Sequence, residues 1–217
     1  MDGPGLDDGG TRSFQEPEPN PGGTAPDVTH RLVAAADRID EAQMRVERGL
    51  VDAVASATGD PNLHGYRVSE RVRLDPAPTS DGVRSGVMAQ VALLRRPDSM
   101  SPEEYLTYWM HTHTGIAIRT QNTSAYIQNI VEQALTPASP TLSAIVEEHF
   151  PMAAMSDPHE FYGSRGDDAE LGRRMTELMT SVAAFGADQG LDLVPTSRYF
   201  WSLSGPQTGT SSTAPTA

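Results

Sequence analysis

The stretch Val87-Met88-Ala89-Gln90-Val91-Ala92-Leu93-Leu94-Arg95, followed by Ser101-Pro102-Glu103-Glu104-Tyr105, decides how this chain is read. In an extended run Val87, Ala89, Val91 and Leu93 share one side while Met88, Ala92 and Leu94 share the other, so it predicts a strand buried on both faces. Ser101 then supplies a helix N-cap, Pro102 suits the first helical position, and Glu104 is placed to close a capping box. A helix is predicted from there to about Arg119.

Working outward toward the C-terminus, Ala125 to Gln133 is strand-like, Pro137 to Pro140 is a turn, and Ser143 to His149 is a further short strand. A second helix is predicted from near Asp168, with Leu171, Met175, Leu178, Met179, Val182 and Phe185 as its apolar stripe. Gly186 or Gly190 stops it. Thr196 to Leu203 then alternates Tyr199, Trp201 and Leu203 with Arg198, Phe200 and Ser202, which predicts a closing strand. The order strand, helix, strand, strand, helix, strand is that of an α+β ferredoxin-like plait, βαββαβ. Both helices of a plait cover one face of its sheet and leave the other bare. A large bare apolar face on a monomer is uncommon. Two covers compete: a second copy packed sheet to sheet, which makes a homodimer with a dimeric α/β barrel, or residues 29–75 of the same chain. Either encloses a pocket for a small-molecule ligand.

Residues 29–75 read as a helix-strand extension. Leu32, Ala36, Ile39, Val46, Leu50, Val54 and Ala57 recur at helical spacing, and Tyr66, Val68, Val72 and Leu74 alternate with Ser69 and three arginines. A helix and a strand are half of such a plait, so the segment is open to being a partial copy of it. Asp75 to Gly86 is a Pro/Gly-rich linker. Residues 1–28 hold five prolines, six glycines and six acids against the single Arg12, too little apolar surface to offset the entropy of ordering, and 205–217 are similarly poor. Both ends are expected to be disordered tails, which leaves 86–204 as the main domain.

The 217 residues carry a formal charge of −13, which argues against nucleic acid or an acidic membrane as partner. Without cysteine there is no disulfide, thiol nucleophile or thiolate metal site. The first residues lack a basic start followed by an apolar run, and nowhere do enough apolar residues stand together to span a bilayer, so a cytoplasmic place is expected. Asn122-Thr123-Ser124 and Arg165-Gly166-Asp167 spell a glycosylation acceptor and an adhesion tripeptide, which mean nothing in a non-secreted chain.

Leu93-Leu94-Arg95-Arg96-Pro97, Ser101-Pro102-Glu103-Glu104-Tyr105, and Trp109 spaced four before His113 together resemble the EthD family of dimeric α/β-barrel proteins. More faintly, Asp168, Met175, Phe185 and Val194-Pro195-Thr196-Ser197-Arg198-Tyr199 fit that family's second helix and closing strand. The resemblance covers about 86–204. It implies a small-molecule metabolic protein with an oxidoreductase association.

On an α-helix Tyr105, Trp109, His113 and Ile116 fall within one quadrant, so His113 is expected to face the sheet and His111 the solvent. Positions i and i+2 do not meet on a helix, so these two histidines form no metal site. His113 is the candidate catalytic acid or base, set against an ordinary half-buried histidine. Tyr105 and Trp109 are candidates for substrate binding as well as for packing; Tyr126, Tyr199 and Trp201 are candidates for lining the cavity. Glu147, Glu148 and His149 read as a solvated strand end, and His159 as part of a lid or an ordinary loop. No dinucleotide fingerprint, phosphate loop or serine-hydrolase elbow is present, so no cofactor is expected. The expected activity is oxidoreductase-type or cofactor-free proton-transfer chemistry, isomerisation or dehydration included, on an apolar or aromatic compound. The alternative is a non-catalytic binding protein that uses the same cavity.

Overall fold

The computed structural model describes residues 41–60 and 62–202, all within the unit Arg31–Ala217. The expected tails at 1–28 and 205–217, and the first part of the expected N-terminal helix, lie outside the described residues. The protein is α+β, with one open five-stranded antiparallel sheet and several helices.

Helix α1 spans Glu41–Thr58 and leads to strand β1, Tyr66–Leu74. Strand β2, Val87–Leu94, precedes a helical stretch made of α2, Pro102–Tyr108, a π-helical turn, Trp109–His113, and α3, Thr114–Thr120. Strands β3, Ala125–Ala134, and β4, Ala144–Pro151, follow; then come a 3-10 turn at Met152–Met155, the short helix α4, Pro158–Tyr162, the long helix α5, Asp168–Ala184, and strand β5, Asp192–Thr196. The sheet order is β1-β3-β4-β2-β5.

Local chemistry accounts for the best-defined boundaries. The Ser101 side chain accepts from the Glu104 N–H at 3.2 Å, and the Glu104 carboxylate accepts from the Ser101 N–H at 2.9 Å, so the expected capping box starts α2. Asp167 caps α5 by accepting from the N–H groups of Ala169 and Glu170. Gly186 follows α5 at φ +70°, where an added Cβ would lie 2.7 Å from Pro97, so both backbone and space require glycine.

Two expectations about the strands are corrected. The closing strand runs Asp192–Thr196, and Tyr199 beyond it makes only an isolated bridge with Arg84. Pro195 sits within it because β5 is an edge strand, where a missing N–H is tolerated. Second, β1 does not lie across a sheet face; it pairs with β3 and widens the sheet.

Ala92, Leu94, Tyr126, Ala144 and Val146 from the strands pack with Tyr105, Trp109, Ala117, Leu178 and Phe185 from the helical layer. Tyr105, Trp109 and Phe185 are buried almost completely, and the Phe185 side chain alone contributes on the order of 2–3 kcal/mol of transfer from water. Met175 and Met179, expected in the α5 stripe, are 40% and 49% exposed, so the buried stripe is narrower than the sequence suggests.

Candidate functional site

Strand β4 lies between β3 and β2, so both of its edges are hydrogen-bonded and its side chains alternate between two faces. Val146 and Phe150 point into the helical side, Glu148 with them, while Glu147 and His149 point to the helix-free side. These ionisable residues were expected at a solvated strand end. Instead Glu147 and Glu148 are each 7% exposed and His149 is 2% exposed.

On the helix-free face, Glu147 stands opposite Val91 of β2 and Ile127 of β3, and His149 opposite Ala89 and Ala125. Both alanines are buried with it. Glu147 Oε1 lies 2.8 Å from His149 Nε2, and Arg198 Nε lies 3.4 Å from the same oxygen. Arg198 also donates from Nη1 to Thr79 Oγ1 at 3.4 Å, and that hydroxyl is 2.8 Å from Ser85 Oγ. The His149 carbonyl accepts from the Ser124 N–H at 2.7 Å and from the Thr123 and Ser124 hydroxyls at 3.2 Å, which fixes the backbone from which the ring projects.

An ionised carboxylate only accepts, so its bond to Nε2 assigns the proton of a neutral imidazole to Nε2 and leaves a lone pair on Nδ1. Nδ1 makes no hydrogen bond among the described residues. A carboxylate that orients an imidazole and balances its charge is the arrangement by which a histidine takes up and returns a proton. The surrounding Ala89, Val91, Ala125 and Ile127 make the face apolar, which suits a ligand of the same character.

Glu148 occupies a different environment one residue away. Burial drives its pKa up to about 7, opposed by a hydrogen bond with Gln90. The Gln121 amide, oriented to satisfy its neighbours, donates to Glu148 Oε1 at 3.0 Å and to the Ala117 carbonyl at 3.3 Å. Across the register Glu148 faces Tyr126, whose hydroxyl is held far above its ordinary range by burial first and by the Glu148 charge second.

His113 is 8% exposed, and its recorded neighbours belong to the α5 region: Nδ1 lies 3.0 Å from Ser181 Oγ and the ring centroid 4.8 Å from that of Phe185. Burial lowers its pKa to about 4, so the ring is neutral at physiological pH. The π-turn explains the orientation. Its widened backbone bond runs from the Thr114 N–H to the Trp109 carbonyl, so Trp109 and His113 are not stacked with α-helical offset. The Thr114 hydroxyl donates to the same carbonyl at 2.9 Å and accepts from Gln128 Nε2 at 2.8 Å, which ties the turn to β3.

Tyr105, Trp109 and Tyr126 come together in the core between helices and sheet. Tyr105 OH, Trp109 Nε1 and Gln128 Oε1 are buried there without a partner of normal geometry. Tyr199 and Trp201 are elsewhere, stacked on each other with centroids 5.5 Å apart and 47% and 59% exposed. His111 is exposed. His159 sits in α4, with Nδ1 2.7 Å from Ser164 Oγ. Among the described residues no group of three or more His, Asp or Glu side chains is arranged to hold a metal ion, and no helix is long and apolar enough to cross a membrane.

The signal for Glu147 and His149 was present in the sequence: an i, i+2 pair in a strand whose place in the element order makes it interior shares one buried face. Arg198 carried no such signal, because its approach depends on how the chain continues beyond β5. In comparisons with known proteins, the chain matches no family model and no curated protein.

Proposed function

We propose that this is a cytoplasmic small-molecule metabolic protein of the EthD type, which binds an apolar or aromatic compound on the helix-free face of its sheet and transfers a proton through His149. The observation that carries this reading is the buried Glu147–His149 pair at 2.8 Å, with Arg198 on the same carboxylate oxygen. Glu147 orients the ring; Nδ1 is the atom that takes the proton from carbon or hydroxyl and returns it. Isomerisation, dehydration and oxidoreductase-type reactions of electron-rich compounds all begin with such a step. His113 remains the second candidate acid or base, but its neutral, Ser181-bonded ring against α5 suits packing better than proton transfer.

The element order from β2 to β5 and the strand order β3-β4-β2-β5 support a ferredoxin-like plait with β1 as an added edge strand. A homodimer is supported by exposed Val83, Met155, Tyr199, Phe200 and Trp201, apolar side chains of the kind that a second copy covers. The non-catalytic alternative keeps the same face and uses His149 only as a hydrogen-bonding group.

Native mass spectrometry of the protein from its own host tests the reading, with turnover of the retained compound then followed in His149→Gln and His113→Gln. A dimer that carries an apolar or aromatic molecule, turned over by the wild type and His113→Gln but not by His149→Gln, is expected. Turnover unaffected by His149→Gln overturns the catalytic role.

A further inference from the structure

Away from this face, a cavity of about 430 Å³ opens where the end of α3, α4, the loop that follows it and α5 meet. Its lining is polar: Gln121, Asn122, His159, Glu160, Arg165 and Arg174 contribute to it, with Gly163. Arg174 is held from behind. Its Nε donates to Glu170 at 2.6 Å and its Nη1 to the Tyr162 carbonyl at 2.8 Å, which leaves the two N–H groups of Nη2 without a recorded bond. Arg165 makes no hydrogen bond or ion pair among the described residues, so its whole guanidinium is available to the cavity.

The acids around the cavity are largely engaged elsewhere. Glu170 is shared by Arg173 and Arg174, Asp167 caps α5, and Asp168 lies 3.4 Å from His159 Nε2 and is otherwise exposed. Glu160 alone remains to offset Arg165. The backbone adds an independent observation: Arg165 adopts φ +55°, the one positive-φ position among the described residues that is not glycine, between Gly163 at +64° and Gly166 at +81°. A side chain kept where glycine would be unstrained points to a use for that side chain.

We propose that this cavity is a second ligand site, which takes a small oxyanion-bearing molecule whose carboxylate or phosphate is held between Arg165 and Arg174. The Arg165 guanidinium fork matches the paired oxygens of such a group, Nη2 of Arg174 adds two further N–H donors, and the amide oxygen of Asn122, whose Nδ2 donates to the Glu160 carbonyl, is open to its hydroxyls. The site is independent of the His149 reading and stands or falls separately.

The test is a backbone-amide NMR titration of the full chain with inorganic phosphate, at ionic strength held constant with chloride. Saturable shifts at Gly163, Arg165 and Gly166 are expected. Arg165→Gly suits the left-handed backbone, so it keeps the fold while it weakens phosphate binding about tenfold or more. Arg174→Lys keeps the charge but loses the Nη2 donors and the bonds to Glu170 and Tyr162 that aim them, with a several-fold loss expected. Non-saturating shifts matched by chloride alone, or an Arg165→Gly variant that binds phosphate like the wild type, overturn the proposal.

Discussion

Glu147 Oε1 lies 2.8 Å from His149 Nε2 on the helix-free face of β4, and Glu148 between them turns to the helical face. Three consecutive ionisable residues of one strand therefore meet two environments. The outer two pair with each other and with Arg198, while the middle one is desolvated beside neutral amides. One strand thus carries both a balanced acid-base pair and a carboxyl with a raised pKa.

The pair is testable by a double-mutant cycle. Glu147→Gln removes the charge that Arg198 and His149 share in a site where the three side chains are 19% exposed or less. Loss of about 2 kcal/mol is expected in urea unfolding, below the range for fully buried pairs because Arg198 retains some solvent. Combined with His149→Gln, the two losses should overlap by about 1 kcal/mol. Strict additivity would mean that the side chains are neighbours without coupling.

Glu148 makes a pH prediction of opposite sense to that of ordinary carboxylates. Its folded pKa of about 7 exceeds its ordinary value, 4.5, so the native state binds the proton more tightly than the unfolded chain. Its contribution to stability is full below about pH 4.5, falls through the window up to about 7, and is lost above it. Glu148→Gln keeps the shape without the charge and should stabilise the protein at pH 8 by roughly 3 kcal/mol, with no gain at pH 4. Equal effects at both pH values in thermal unfolding would refute a buried, titrating Glu148.

His113 works the other way. Its pKa falls from 6.5 to about 4 on folding, so its contribution is present above 6.5 and lost as pH drops toward 4. Between about 4.5 and 6.5 the two groups oppose each other, and the wild type should show a shallow stability profile there. His113→Gln removes one slope and exposes the other: its stability should fall steadily from pH 4.5 to 7. A profile parallel to that of the wild type would mean that the ring is solvated and titrates normally.

How far these sites could be read from the sequence follows from which interactions are local. The α2 start was legible because Ser101 and Glu104 satisfy each other's backbone within four residues. Strand β1 was legible from alternation, but its pairing with β3 was not, because edge addition leaves no mark in the strand itself. The burial of His113 and the exposure of His111 were legible from helical spacing, but the ring's partners, Ser181 and Phe185, were not. A uniform 100° rotation per residue fails where Thr114 and Gln128 stabilise a π-turn, and that bond joins residues fourteen apart. Glu147 and His149 looked exposed because charged residues usually are; the partner that offsets their burial, Arg198, lies about fifty residues further along the chain.

The π-turn itself gives the last prediction. Gln128 is fully buried, its Nε2 donates to Thr114 Oγ1 at 2.8 Å, and its Oε1 has no partner. Thr114→Val preserves shape but removes both the acceptor for Gln128 and the donor to the Trp109 carbonyl, so one more buried polar atom is left unpaired. A loss of about 2 kcal/mol is expected. Gln128→Leu in the same chain removes the orphaned amide altogether, and the double variant should recover at least half of that loss, because an apolar pair of similar volume carries no desolvation penalty. If the double variant is instead less stable than Thr114→Val alone, Gln128 is held by more than its bond to Thr114, and the orphaned Oε1 has a partner in solution.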